Sequence, residues 1–244
     1  MRDPHSGWIQ LSMAEFALLW AGLNLGPTPP ALSVPALGRT AVRRAELVAE
    51  ASATLSGRDL GTVESPARDL TMLLRVLAGH DKLVEMTVDG QESSLAAVAG
   101  SSSRGTAVAA RVGGEVRVGP VERITSALLE AVVPLPAGPG GSVNIREADY
   151  DSACVAGGRD GISGFTDELA RAGVSARDAT MVAHALTTRL GGGRLGVTRG
   201  RSRTAFAWID TPDGRYVLRN TGGWVTVTPA DPSRLAALVD DTVV

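Results

Sequence analysis

Cysteine, lysine and histidine are scarce in this 244-residue chain, which has one cysteine (Cys154), one lysine (Lys82) and three histidines. A single cysteine cannot form an internal disulfide or a thiolate metal cluster, and its use fits a reducing cytosol. We expect Cys154 to be a buried, unreactive thiol rather than a nucleophile.

The histidines lack the spacing of a metal site. His5, His80 and His184 stand far apart in the sequence and form neither an H-x-x-x-H nor an H-E-x-x-H pattern. No G-x-S-x-G segment marks a hydrolase nucleophile. The sequence therefore predicts a protein that is not an enzyme, with no catalytic residue, no metal and no cofactor.

One glycine-rich segment, GGGRLG at 191–196, satisfies the pattern G-x-G-x-x-G. A dinucleotide site needs a strand before the glycines and a helix after them, so that the phosphate meets a helix N-terminus. Here a helix is predicted before the glycines and a strand after them. We interpret the segment as a helix C-cap and turn.

Long apolar runs and a strong charge of one sign are also missing. No run reaches the 18 or so apolar residues of a membrane span, and the N-terminal segment carries Asp3 and Glu15 and lacks a small-residue cleavage site. The formal net charge is -2, with arginines spread along the chain. These features predict a cytoplasmic protein with no nucleic-acid partner and no membrane insertion.

The chain contains an internal repeat. ARDLTML at 67–73 and ARDATMV at 176–182 agree at five of seven positions, and the same offset of 109 aligns Gly113-Gly114 with Gly222-Gly223 and Pro120 with Pro229. About 18 of the 66 positions aligned without a gap are identical. The repeat predicts a duplicated fold with an N-terminal half at 1–134 and a C-terminal half at 135–244, packed as one compact pseudosymmetric domain.

Each half is predicted to place helices before an antiparallel meander. In the first half, Ser12 to Glu15 form a capping-box pattern, Thr40 caps a second helix, and Pro120 opens a closing helix. The first-half strands are predicted at 8–11, 83–89, 94–99, 105–112 and 115–118, and the helices from Ser12, at 40–55, 66–78 and 120–132. The second-half strands are predicted at 142–146, 194–199, 203–210, 214–220 and 223–227, and the helices at 164–172, 176–190 and 229–240. The class is α+β.

The second meander carries large side chains that the first lacks. Trp208 and Trp224 align with Ala99 and Glu115, and Arg199, Arg201 and Arg203 make a cationic hairpin tip. Divergence of one copy is what a binding face produces, so these five residues are the candidate partner-binding site. The alternatives are that both tryptophans fill the core between sheet and helix and that the arginines are a solvated turn.

The second meander resembles the C-terminal segment of the EspG family, which is associated with ESX (type VII) secretion in actinobacteria. The similar segments are WIDTPDGRY at 208–216 and WVTVTPADPSRL at 224–235. The N-terminal segment LSMAEFALLWAGLNLGPTPP is similar too, with an early tryptophan and a Pro-rich turn. Unlike family members known to bind PPE proteins, this chain closes its first two meander strands tightly, at Asp89-Gly90-Gln91.

The resemblance implies a central antiparallel β-sheet flanked by helical bundles with quasi-twofold symmetry. It also implies a cytosolic chaperone that binds a helical secretion substrate, a PE-PPE-like heterodimer or a WXG100-like protein, and keeps it soluble before export. Two alternatives stay open from the residues alone. One is a protein-interaction scaffold or homodimer without a secretion role, and the other is an enzyme whose site carries no motif.

Overall fold

The computed structural model of the chain describes residue 3 and residues 6–35, 37–90 and 94–243. The described residues divide into two compact units. The first unit comprises residues within 1–87, 93–131 and 197–203, and the second comprises residues within 88–92, 132–196 and 204–244. The division of the chain at residue 134, proposed from the repeat, stays a prediction. No helix among the described residues is long and apolar enough to cross a membrane.

The described residues of the first half form five strands, four α-helices and a short 3-10 helix. Helix α3 packs against strands β3, β4 and β5. The elements in chain order are β1 (Ile9–Ser12), α1 (Met13–Gly22), the 3-10 helix (Pro30–Leu32), α2 (Ala41–Ser56), α3 (Arg68–Ala78), β2 (Lys82–Asp89), β3 (Ser94–Ser102), β4 (Gly105–Val112), β5 (Glu115–Pro120) and α4 (Ile124–Leu129).

The described elements of the second half repeat this order without a counterpart of the Pro-rich segment at 27–35. Helix α5 packs on β6, β10 and α6. The elements are β6 (Val143–Arg146), α5 (Glu147–Arg171), α6 (Ala176–Thr187), β7 (Gly191–Arg199), β8 (Ser202–Thr211), β9 (Gly214–Thr221), β10 (Trp224–Pro229) and α7 (Pro232–Val243).

Strand order and register repeat between the two halves. The hydrogen-bonded order is β1-β5-β4-β3-β2 in the first half and, read from the corresponding edge, β6-β10-β9-β8-β7 in the second. Leu11 pairs with Val116 as Ile145 pairs with Val225, and all described pairs between β4 and β5 recur between β9 and β10 at an offset of 109. The predicted α+β class with a duplicated antiparallel sheet is confirmed.

Several predicted boundaries were wrong. Pro120 and Pro229 are the last residues of β5 and β10, and α7 begins instead at Pro232, where a missing N–H costs nothing. The glycines at 191–196 are strand residues of β7, not a helix C-cap, because Gly192 lies so close to β8 that a Cβ would stand 2.2 Å from the Trp208 carbonyl oxygen. Gln91 of the tight turn and His5 lie outside the described residues.

The N-terminus of α1 is fixed by the predicted capping box, which the structure confirms. The Ser12 hydroxyl accepts from the Glu15 N–H at 3.1 Å, and the Glu15 carboxylate accepts from the Ser12 N–H at 2.8 Å. Glu15 is buried and also accepts from the Thr54 hydroxyl at 2.7 Å and from the Arg58 guanidinium. Burial alone would raise the pKa of Glu15, but these hydrogen bonds and the Arg58 charge outweigh it and lower the pKa.

In the second unit, a buried ion pair holds the segment that precedes β6. Arg215 is 1% exposed and donates to Asp210 at 2.6 and 3.1 Å, and to the Val133 carbonyl at 2.8 Å. The backbone N–H of Arg215 donates to Pro136, and its carbonyl accepts from Gly138. The first half has Ser101 and Thr106 at the aligned positions, so the pair belongs to the second copy alone.

Substituting Arg215 with methionine should reduce the free energy of unfolding by about 3 to 5 kcal/mol, because Asp210 is left without its partner in a buried site. Urea denaturation measures the effect. Arg219→Met, on the same strand but exposed, is the matched control and should change stability little. A loss in Arg215→Met no larger than in Arg219→Met would contradict this account.

Glu15 should make the stability of the chain depend on acid pH. Because its folded-state pKa lies below that of the unfolded chain, the ionised form contributes stability above the unfolded value, and the contribution is lost as the pH falls through the folded value. Glu15→Gln should therefore cost about 1 to 3 kcal/mol at pH 7, and the difference from wild type should shrink below about pH 4. Exposed Glu64→Gln is the control, and a pH-independent difference would count against the assignment.

Candidate functional site

Helix α5 is interrupted in its middle. Gly161 has φ 70° and ψ -155°, a conformation that is essentially restricted to glycine, and it separates two helical segments. The two segments on either side of this point pack closely on each other. A Cβ on Gly157 would lie 3.2 Å from the Phe165 Cβ, and one on Gly164 would lie 2.7 Å from the Ala156 carbonyl oxygen. The run AGGRDGISG thus forms a close-packed helical corner.

The corner leaves an apolar groove against α6. Its volume is about 300 Å³, at the lower end of the range of ligand pockets. The groove is lined by Cys154, Gly157, Gly161, Ile162 and Phe165 of α5 and by Ala183, Leu186 and Thr187 of α6. Small residues create the space, and apolar side chains form its walls. We refer to these eight residues as the α5–α6 groove.

Large apolar side chains are exposed on the same helix. Ile162 is 55% exposed at the rim of the groove, and Val155, beside Cys154 in the sequence, is exposed as well. The opposite face of α5 and α6 is anchored in the core of the second unit, where Phe165 is buried and meets Tyr150 edge-on at 6.2 Å between ring centroids. The arrangement can bind apolar side chains of another molecule, and it offers no charged group to orient a polar ligand.

Cys154 is exposed in the groove, so the expectation of a buried thiol was wrong. Partial burial raises the pKa of Cys154, a hydrogen bond with Tyr150 lowers it, and Asp151 raises it again, with a net increase. Burial also raises the pKa of Tyr150, and the neighbouring Cys154 thiol raises it further. A thiol with a raised pKa is mostly protonated near neutral pH and is a poor nucleophile.

The two tryptophans of the predicted binding site have different environments. Trp208 is 2% exposed, lies 6.4 Å from Phe206 between ring centroids, and has an indole N–H without a partner among the described residues. Trp224 is 42% exposed, and the Arg146 guanidinium lies 5.1 Å from its ring centroid. The core interpretation therefore fits Trp208, whereas Trp224 presents its ring to the surface.

The predicted arginines lie in the first unit, at the turn between β7 and β8. Arg199 ends β7, Arg201 occupies the turn, and Arg203 lies 3.6 Å from the Glu85 carboxylate. Partial burial lowers the pKa of Lys82, and the Arg199 charge lowers it further. The turn is a cationic hairpin tip, as predicted. Whether the five predicted residues bind a partner stays a prediction.

No group of three or more His, Cys, Asp or Glu side chains in the described part of the chain could hold a metal ion. His184 of α6 pairs with Asp213 at 2.7 Å, and both side chains are about half exposed. Such a pair in solvent is a surface contact.

Sequence reasoning missed the residues of the groove. No helix was predicted for 147–163, a segment whose three glycines at 157, 158 and 161 lower its helix propensity. Two signals were present. Glu147 and Asp149 are acidic residues of the kind favoured in the first turn of a helix. Ala153, Ala156 and Gly164 are small residues at buried positions of α5.

Comparisons with known proteins give a family match and a solved structure of similar fold. Residues 12–241 match the family model described as the EspG family. Among solved structures, the chain is similar to the Mycobacterium tuberculosis type VII secretion system chaperone EspG5, solved in complex with a PE25-PPE41 dimer. The identity is 18%, the TM-score is 0.76, and the match covers 97% of this chain and 95% of that one. No sequence among curated proteins matches significantly.

The raised pKa of Cys154 predicts slow alkylation. At pH 8, iodoacetamide should modify Cys154 in the folded chain more slowly than in the same chain unfolded in guanidinium, and the folded rate should keep rising above pH 9. Asp151→Asn should speed the reaction, because it removes a charge that raises the pKa. Equal rates in the folded and unfolded chains would contradict the assignment.

Proposed function

The chain belongs to the EspG family, and from this premise we propose that it is a cytoplasmic chaperone of type VII secretion that binds a helical client through the α5–α6 groove. The client is a PE-PPE-type heterodimer or a similar helical secretion substrate. The observation that carries the proposal is an exposed apolar groove in a chain of this family. The proposal assigns the chain no catalytic activity.

The solved relative supports the class of client. EspG5 is described as a type VII secretion system chaperone and was solved with a PE25-PPE41 dimer. The fold of the present chain is similar over nearly the full length of both chains, so a common mode of client binding is a reasonable inference.

The physical basis of client binding is burial of apolar surface. A helix or helical hairpin laid in a groove presents apolar residues at spacings of three and four, and these fill the space between two supporting helices. Burying the exposed half of the Ile162 side chain contributes on the order of 1 kcal/mol. The groove walls add to this, because the partly buried Leu186 loses its remaining contact with water.

A chaperone role follows from the same surface. A client whose apolar tip is exposed before export is prone to association with other copies, since apolar patches drive aggregation. A groove that covers the tip reversibly lowers the concentration of the free, aggregation-prone form. The affinity then has to be moderate, so that the client can be released for transport.

Further client contacts are proposed, in each unit separately. The hairpin-tip residues Arg199, Arg201 and Arg203 are proposed to attract acidic residues of the client, which raises the association rate more than the affinity. Trp224 is proposed as an exposed aromatic contact. Trp208, although part of the predicted set, is left out of the proposed surface because its ring is buried.

Ile162→Asp should weaken client binding at least about tenfold, because a carboxylate in the groove would be desolvated by the client and the apolar contact would be lost. The measurement is co-purification of the tagged chain with a PE-PPE or WXG100-like pair co-expressed from the same genome. The matched control is Val42→Asp, in which a 71% exposed valine of α2 receives the same charge.

Cys154 gives a second, independent readout. Because it is the sole cysteine and lines the groove, bound client should slow its modification by a maleimide. Loss of the client in Val42→Asp but not in Ile162→Asp, or unchanged maleimide labelling in the complex, would reject the groove. A stable homodimer that protects Cys154 without any client would instead support the scaffold alternative.

A further inference from the structure

The two edge strands of the repeat differ in what occupies their free side. Strand β1 is an edge strand, and β6 is its counterpart in the second half. The Met13 N–H donates to the Gly114 carbonyl, and the Glu147 N–H donates to the Gly223 carbonyl at 2.9 Å. Antiparallel pairing alternates, so the N–H and C=O of Gln10 and of its counterpart Asn144 point away from the sheet.

The free side of β1 is closed by side chains of its own unit. Arg58 donates to the Gln10 carbonyl at 3.0 Å and also to the Glu15 carboxylate. Glu15 in turn accepts from the Ser12 N–H. A guanidinium and a carboxylate thus form hydrogen bonds with outward-pointing backbone groups of β1. Covering a strand edge in this way protects it from pairing with another chain.

The free side of β6 is open. The residue aligned with Glu15 is Asp149, one methylene shorter, and Arg146, the N-cap of α5, has no side-chain cap hydrogen bond. No described residue takes the place of Arg58 here. Instead, a groove of about 380 Å³ follows the whole strand. It is lined by Ser142, Val143, Asn144, Ile145, Arg146, Asp149, the loop 172–175, Asp178 and Trp224.

The position of this groove shows that it lies along the strand edge. Side chains of consecutive strand residues point to opposite faces, and the groove touches all five residues from Ser142 to Arg146. Its far wall is the loop between α5 and α6. The outward N–H and C=O of Asn144 therefore lie beside open space, which is what an added strand requires.

The charges around the groove specify the occupant. Asp149 makes no ion pair with a described residue. The Asp178 carboxylate accepts from the Ser175 hydroxyl, to which the Asp178 N–H donates in turn. Arg146 is directed over the Trp224 ring. The groove therefore carries two carboxylates against the one guanidinium of Arg146, and neither carboxylate makes an ion pair with a described residue.

We propose that the free edge of β6 binds an extended, arginine-containing segment of a partner protein by strand addition. The backbone of the segment exchanges two hydrogen bonds with Asn144, and flanking arginine side chains reach Asp149 and Asp178 as Arg58 reaches Glu15 in the first half. This strand edge is separate from the α5–α6 groove. It shares Trp224 with the proposed client contacts, but the peptide experiment needs no client, so the inference does not depend on the proposed chaperone function.

The probe is the peptide acetyl-Thr-Arg-Val-Arg-Thr-amide, titrated into the full ¹⁵N-labelled chain. Its central valine should pair with Asn144, so the amide signals of Asn144 and Arg146 should shift, with a dissociation constant on the order of 0.1 to 1 mM. N-methylation of the valine removes the donor to Asn144 and should weaken binding at least tenfold. N-methylation of the first arginine, whose N–H points away from β6, should weaken it far less.

The charged partner is tested by Asp149→Asn, which should weaken binding about threefold, as expected for a partly exposed ion pair. Asp167→Asn, on the same helix and exposed, removes the same charge outside the groove and should leave binding unchanged. The proposal is overturned if the parent peptide does not bind at about 5 mM, if both N-methyl peptides bind equally, or if Asp167→Asn weakens binding as much as Asp149→Asn.

Discussion

In both halves of the chain, the edge strand is held against the last meander strand by pairs of apolar residues in one register. Leu11 meets Val116 in the first half, and Ile145 meets Val225 in the second. A slip of one residue would turn these side chains from the core to the solvent, so the register is strongly specified. The helices depend on it, because α1 and α5 begin directly where β1 and β6 end.

The two halves share this strand register but differ in their helices and in what covers their edge strands. The first half closes its strand edge with the Glu15–Arg58 pair and fills the space above its sheet with α2 and the Pro-rich segment. The second half breaks α5 at Gly161 and keeps a groove against α6, and its strand edge at β6 stays free. The buried Arg215–Asp210 pair secures the segment that leads into this half. The proposed binding surfaces thus lie where the copies disagree, while the aligned positions maintain the architecture.

The sequence was sufficient for the elements whose signals are local. The capping box at Ser12, the cap at Thr40 and the turn between Thr211 and Gly214 follow from side-chain chemistry within four residues. The repeat at an offset of 109 then predicted one half from the other. Pro120 and Pro229 misled, because proline at a strand end and proline at a helix start look alike in sequence.

The candidate site could not be predicted in the same way. Glycines in a sequence suggest a loop. Here they allow two helical segments to pack closely, with Gly157 against Phe165, on either side of a turn at Gly161 whose backbone conformation favours glycine. Trp208 was chosen as a surface anchor because of its size and its absence from the other copy, yet the three-dimensional packing buries it. Exposure is a property of the whole unit, and no local pattern carries it.

Hydrogen–deuterium exchange of the chain with and without a co-purified helical client tests the central claim most directly. The account predicts slower exchange on client binding in residues 153–166 of α5 and 183–187 of α6, the segments that form the groove. Protection confined to α2 and the Pro-rich segment, with α5 and α6 exchanging at their free rates, would contradict it.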